Sequence, residues 1–202
     1  MPLTYGSYEV SDAYALDAVL AFDEACLAHY DFGGNSVPDR VDAADIGRLV
    51  GSQMVGVSMK VAATLIELGE TAPWAAVPID ARLEDAGPKT ELLAAAEALR
   101  SHFEHVKHIK SAISTKLLAM KRPALFPVID VLVWNHLYGL APSRPGVTYQ
   151  VMAAIREDVR RPATRRALAN LREALLGEGS PKALRLAQLT NLRLRDVAAW
   201  QH

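Results

Sequence analysis

No stretch of this chain alternates apolar and polar residues between hairpin turns. Apolar residues recur instead at helical spacing, and capping residues punctuate them. SDAYALDAVLAFDEACLAHY opens with Ser11-Asp12 and sets Ala15, Val19, Phe22, Cys26 and Leu27 near one stripe. DFGGNSVPDR then breaks the chain as a loop. Asp42 is the expected cap of VDAADIGRLVGSQMVG, which ends at glycines. Ser58 caps SMKVAATLIELG and Gly69 is its expected stop. TAPWAAVPIDARLEDAGP, interrupted by prolines, reads as irregular. KTELLAAAEALRSHFEHVK is a strong helix, rich in Leu, Ala and Glu, and a tight basic turn separates it from the shorter helix IKSAISTKLLAM. FPVIDVLVWNHLYG places Pro127 near a first helical position and Gly139 at a stop. YQVMAAIREDVRR, ATRRALANLREALL and PKALRLAQLTNLRLRDVAAW complete the series, the last entered through Ser180-Pro181. The predicted class is all-α: a compact multi-helix fold with about eight to ten short helices, arranged as two lobes around a cleft, with no solenoid period.

Composition narrows the function. The chain has 202 residues, 50% of them hydrophobic, which suits one globular unit. No run of 18 apolar residues occurs, so no membrane span is expected. MPLTYGSYEV has neither a basic nor an apolar signal region, which makes the cytoplasm the default location. The single cysteine, Cys26, excludes a disulfide framework and a cysteine-based zinc or iron–sulfur site. His102, His105 and His108 are spaced along one helix, but without a matching carboxylate pattern they read as a polar face, and no metal or cofactor is expected.

The net charge of −1 hides an asymmetry. Residues 1–100 hold 6 Lys+Arg against 16 Asp+Glu, and residues 101–202 hold 16 against 7. A basic half of this size is able to neutralise phosphates, and equally able to pair with the acidic half. Lys107, Lys110, Lys116, Lys121 and Arg122 form a basic run around the turn. Arg156, Arg160, Arg161, Arg165 and Arg166 flank Pro162 and suit either phosphates or acids. Arg193, Arg195 and Asp196 read as a structural ion-pair cluster near the C-terminus.

The stretch HVKHIKSAISTKLLAMKRPALFPVIDVLVWN resembles the helix-hairpin-helix DNA glycosylase superfamily. In that family a hairpin of the type L-P-G-V-G-x-K-T-A offers backbone N–H groups to a DNA phosphate, and a catalytic Asp follows about eighteen residues after its lysine. Residues Val106 to Ser114 lie on the hairpin, with His108 and Lys110 where the family has glycines and Ala112 where it has lysine. Asp130 falls eighteen residues beyond Ala112, in the matching context Phe126-Pro127-Val128-Ile129-Asp130. GRLVGSQMVGVSMKVAATLI resembles the early helix pair of the family, whose Gln fills the gap left by a flipped base; that residue is Gln53. The resemblance covers about residues 46–136. The chain also resembles a set of bacterial proteins sharing a K-L-L-A-x-K-R-P core and a terminal L-R-x-x-D-x-x-x-W, here Leu192 to Trp200.

The glycosylase resemblance implies a helix-hairpin-helix core over 46–140, with 1–45 and 148–202 packing as one lobe of a single unit, 1–202. It implies Asp130 as the catalytic carboxylate, beneath a sugar that develops oxocarbenium character. Placed in the first turn of its helix, Asp130 would have its ionised form favoured by the macrodipole. Gln53, Lys107, His108, Lys110, Ser111, Ser114, Lys116, Lys121 and Arg122 are the implied DNA contacts. Trp74, Trp134 and Tyr138 are the implied base pocket, although aromatic side chains at helical spacing also suit a core. With no lysine nucleophile at 112, the implied activity is monofunctional, releasing a damaged or modified base from double-stranded DNA by a monomer, in repair or in defence against modified phage DNA. Two alternatives stay open: a non-catalytic helix-hairpin-helix DNA-binding protein, and an interaction scaffold whose charged halves pair internally.

Overall fold

The computed structural model describes residues 2–33, 37–51, 56–87, 91–130, 133, 137–139 and 147–199. The chain is mostly helical, and the all-α class holds. It opens, however, on a hairpin absent from the sequence reading, β1 (Leu3–Tyr5) paired antiparallel with β2 (Tyr8–Val10). Gly6 makes its two-residue turn possible. With φ of 62° it occupies a left-handed conformation that suits glycine at the first central position of a hairpin turn.

The helices follow as α1 (Asp12–Ala21), a single turn α2 (Glu24–Cys26) running into a π turn at Leu27–Asp31, α3 (Ala43–Gly51), α4 (Met59–Thr71), α5 (Glu91–Glu104) and α6 (Ser111–Lys121). After them come α7 (Val147–Arg160), α8 (Pro162–Glu178), α9 (Pro181–Ala187) and α10 (Asn191–Ala199). Three predicted caps are formed. The hydroxyls of Ser11, Ser58 and Ser180 accept from the amides of Tyr14, Val61 and Ala183 at 3.3, 3.3 and 3.2 Å. Asp42 Oδ1 accepts from the amides of Ala44 and Asp45, while Asp45 Oδ2 accepts back from the Asp42 amide at 3.0 Å, a reciprocal capping box.

Two expected boundaries move. Gly69 lies inside α4 rather than ending it, because Val41 packs against its backbone: a Cβ at Gly69 would meet Val41 N at 2.6 Å. Pro127 starts no helix. Residues 126–130 form no helix or strand, and Asp130 lies outside any helix, its Oδ1 accepting from the Val133 amide.

The chain divides into two compact units, residues 1–24 with 127–202 and residues 25–126. The divisions fall at 24/25 and 126/127, where the sequence placed them after 45 and 140. In the first unit α8 is the hub, packing on α1, α7, α9, α10 and β1. It buries Thr164, Ala167, Leu168, Leu171 and Leu175, one helical stripe. α10 is buried all round, Leu192 to Ala199, including Arg193, Arg195 and Asp196. In the second unit α6 is buried from Ser114 to Ala119 and packs on α5 and α3, and α5 contributes Leu93, Ala96, Leu99 and Phe103 to the same core.

Candidate functional site

The turn joining α5 to α6 has a defined anchor. Ile109 is buried and its amide donates to the Val106 carbonyl at 2.9 Å, which folds residues 105–110 back on themselves. Lys107, His108 and Lys110 are exposed around it, and Ser111 is half-buried. Lys110 occupies the N-cap position of α6 and its side chain makes no capping hydrogen bond. The amides of Ser111 and Ala112 lie in the first turn, at the positive end of the helix and beside lysines. Lys110 has φ of −104° and ψ of 170°, an extended conformation open to any residue, so the fold needs no glycine there. The turn is braced from within: the Ser114 hydroxyl donates to Glu104 Oε1 at 2.6 Å, and Arg100 holds Glu97 and Glu104.

Several expected DNA contacts have other uses. Ser114 is buried against Glu104, and Lys116 is buried on α6, whose carbonyl at that residue accepts from the Tyr30 hydroxyl at 2.6 Å. Lys121 directs Nζ inward to Asp45 Oδ2 at 2.5 Å and to the Val37 carbonyl at 2.9 Å, both ionic side chains being fully buried. Burial pulls the Lys121 ammonium below its ordinary range, and Asp45 opposes that pull. Arg122 donates to the carbonyls of Val77 and Pro38 at 2.9 and 3.0 Å and to Asp39 at 2.5 Å. Its guanidinium lies 5.6 Å from the Trp74 ring. Trp74 itself is core, with Nε1 donating to the Gly69 carbonyl at 2.8 Å and its ring tilted against Phe103. The side chains of Ser114, Lys121, Arg122 and Trp74 bind their own unit together and that of Lys116 is buried in it, which corrects the expectation that they face DNA. His102 likewise turns its ring to the Leu68 carbonyl at 3.0 Å.

Asp130 belongs to the first unit. It is half-buried, and its Oδ1 accepts from the Val133 amide at 3.3 Å, the geometry of a helix cap. The segment before it is fixed to the core by Val128 and Ile129, both buried, and by the Val128 amide, which donates to Asp196 Oδ2 at 2.8 Å. Asp196 has its carboxyl held up at about 6 by burial, opposed by Arg193, the Val128 bond and Arg195, and supported by the charge of Asp130. Tyr138 is no pocket aromatic. Its hydroxyl donates to Asp158 Oδ2 at 2.7 Å and accepts from Arg195 Nη2 at 2.5 Å. Arg195 also reaches Asp158 at 3.0 Å and lies 4.4 Å from the Tyr5 ring, while the Gly6 amide donates to Asp158 at 2.8 Å. Burial raises the Tyr5 and Tyr138 hydroxyls above their ordinary range. Gln53 and Trp134 lie outside the described residues.

The family model described as a family of unknown function (DUF6308) matches residues 9–202. The chain belongs to that family. No curated protein and no solved structure matches it. The DUF6308 match takes in both the α5–α6 turn and Asp130, and it runs through α10, which holds the residues that sequence reasoning undervalued. Arg193 and Arg195 do act on the Asp196 carboxylate, as the local ion cluster implied, but Asp196 and Arg195 also have partners 68 and 37 residues away, at Val128 and Asp158. The signal that was available is the terminal L-R-x-x-D pattern, which puts ions into an otherwise apolar helix. Among the described residues no group of three His, Cys, Asp or Glu is placed to hold a metal ion, and no helix is long and apolar enough to cross a membrane.

Proposed function

We propose that the protein is a monofunctional DNA glycosylase, with Asp130 its catalytic carboxylate. The observation that carries the reading is Asp130 itself: a half-exposed carboxylate at a helix start, on a backbone fixed by buried neighbours, in the F-P-V-I-D context. Separately, the α5–α6 turn presents Lys107 and Lys110 to solvent at a helix start, groups suited to a phosphate oxygen. In the reaction the C1′–N bond breaks and its electron pair leaves with the base. Asp130 stabilises the positive charge left on the sugar. Water then adds at C1′, giving up a proton to the carboxylate, and an abasic site remains. Ala112 in place of a lysine, and the burial of Lys116 one turn further on, support hydrolysis without a covalent amine intermediate.

The placement of Trp74 and Tyr138 in the cores favours a second reading, a non-catalytic DNA-binding protein, since neither is left to stack on an extruded base. Base release from a panel of duplexes carrying damaged or modified bases separates the two. The glycosylase reading expects release by the wild type and a loss of at least ~100-fold with Asp130→Asn. Salt-dependent duplex binding with no release of any base by either protein would leave the binding reading standing alone.

A further inference from the structure

We propose that Arg195 and Asp196, consecutive residues of α10, form a clasp that positions Asp130, so that Asp196 is a positioning residue for the reaction assigned above. The proposal rests on that reading for its catalytic consequence, though not for its geometry.

The two side chains grip the chain on either side of Asp130. Asp196 takes the Val128 amide, two residues before the carboxylate, at 2.8 Å. Arg195 takes the Tyr138 hydroxyl, eight residues after it, at 2.5 Å, and Asp158 closes that contact from the other side. Successive residues of a helix point about 100° apart, so one dipeptide is able to hold two separate points of the same segment. The need for such a grip follows from the backbone. Residues 126–130 lie in no helix and no sheet, so the buried amide of Val128 has no ladder acceptor and is satisfied by a side chain. Asp196 is that acceptor.

The ions are costly where they are. α10 is buried on every side, and a buried charge is stabilised only by well-made partners. Apolar residues would serve packing alone at least as well. What Arg195 and Asp196 supply, and leucines would not, is a fixed position for Val128 and Tyr138, and with them for the carboxylate between. Misplacing a reacting group by about 1 Å costs on the order of 100-fold in rate.

The test uses the full chain with three substitutions. Asp196→Ala removes the acceptor, Asp196→Asn keeps an oxygen for the Val128 amide, and Tyr138→Phe opens the far side while leaving Arg195 on Asp158. Amide exchange at Val128 and Val133 is followed by NMR, together with kcat and KM for base release. Asp196→Ala is expected to speed exchange at both amides by about tenfold or more and to lower kcat by a similar factor with KM for DNA unchanged. Asp196→Asn is expected to restore most of both. Tyr138→Phe is expected to lower kcat and to speed exchange at Val133 with Val128 still protected. If Val133 exchanges at the wild-type rate in Asp196→Ala, Asp196 holds only its own contact and the clasp is overturned. Should Asp196→Ala unfold, Tyr138→Phe decides alone: wild-type exchange at Val133 in that variant overturns the proposal. If the wild type releases no base, the glycosylase reading fails, and the exchange measurements still decide whether the clasp exists.

Discussion

Lys121→Met separates a buried structural lysine from a phosphate contact. Lys121 Nζ lies 2.5 Å from Asp45 Oδ2, and neither side chain has any exposure. Methionine fills the volume of the lysine stem but leaves the Asp45 carboxylate in the core without its counter-ion, its Oδ2 still accepting from the Asp42 amide at 3.0 Å. Breaking a buried pair on one side costs about 3–5 kcal/mol, a large share of the ~5–15 kcal/mol that stabilises a typical domain. At ~4–8 °C per kcal/mol for a unit of this size, the melting temperature should fall by more than about 10 °C. Removing both charges should recover most of that loss. Asp45→Leu combined with Lys121→Met removes both ions of this pair and forfeits chiefly the reciprocal cap on α3, worth about 1 kcal/mol.

DNA affinity supplies the contrast. Measured against salt at a temperature where the variants are folded, Lys121→Met should keep the wild-type slope. Lys110→Ala, at an exposed N-cap position with no side-chain cap to lose, should lower the slope by about 1 and leave melting unchanged. Wild-type melting for Lys121→Met together with a reduced salt slope would refute the reasoning, since it would place the ammonium on the surface and on a phosphate.

Two further outcomes follow from single positions. Gly69→Ala should destabilise by about 1–3 kcal/mol, because its Cβ would lie 2.6 Å from Val41 N and 2.7 Å from Val41 Cβ; Gly47→Ala in α3, with open space around it, should instead stabilise by up to ~1 kcal/mol, and urea midpoints for both check the contrast. Asp196 carries a carboxyl at about 6 in the folded chain against an ordinary 3.8, so protonation favours the fold: its contribution is complete below pH about 4 and is lost as pH rises through about 6. Lowering the pH from 7 to 4 should therefore shift the stability of the wild type relative to Asp196→Asn in favour of the wild type, by up to ~3 kcal/mol, and a difference that is flat with pH in denaturant titrations would contradict it.

What was legible in the sequence was local. Ser11, Ser58, Ser180 and Asp42 announce helix starts because a cap needs only its own next three residues. The hairpin at 3–10 was missed because each strand is three residues long, too short to show alternation, and its one signal is the Gly6-Ser7 turn. Gly69 was read as a stop because a glycine that ends a helix and one that admits a neighbouring backbone look alike without Val41 beside them. Trp74 is a matter of the same kind: nothing in TAPWAA says that its indole N–H turns back to the carbonyl of Gly69. Of the candidate site, Asp130 and the turn were legible through their spacing. The fate of Lys121 was not, because its partner Asp45 lies 76 residues earlier and a buried lysine is spelled like an exposed one.

That last point decides how the charge of the chain is to be used. Cut at residue 100, the sequence looks bipolar. Cut where the fold cuts it, the first unit holds 11 Lys+Arg and 11 Asp+Glu, and the second holds 11 and 12. The asymmetry disappears because each unit joins stretches from both halves, and bases from the later half meet acids from the earlier one inside a single unit: Lys121 with Asp45, Arg122 with Asp39, Arg185 with Glu24. Net charge therefore gives no argument for DNA. Any such argument must rest on basic groups that the fold leaves facing solvent, and around the α5–α6 turn these are Lys107, His108 and Lys110, next to the start of α6. A surface of this kind would make few phosphate contacts. On the glycosylase reading, specificity would then have to come from the sugar and base rather than from a broad electrostatic surface, so that reading stands or falls with Asp130 and the proposed clasp.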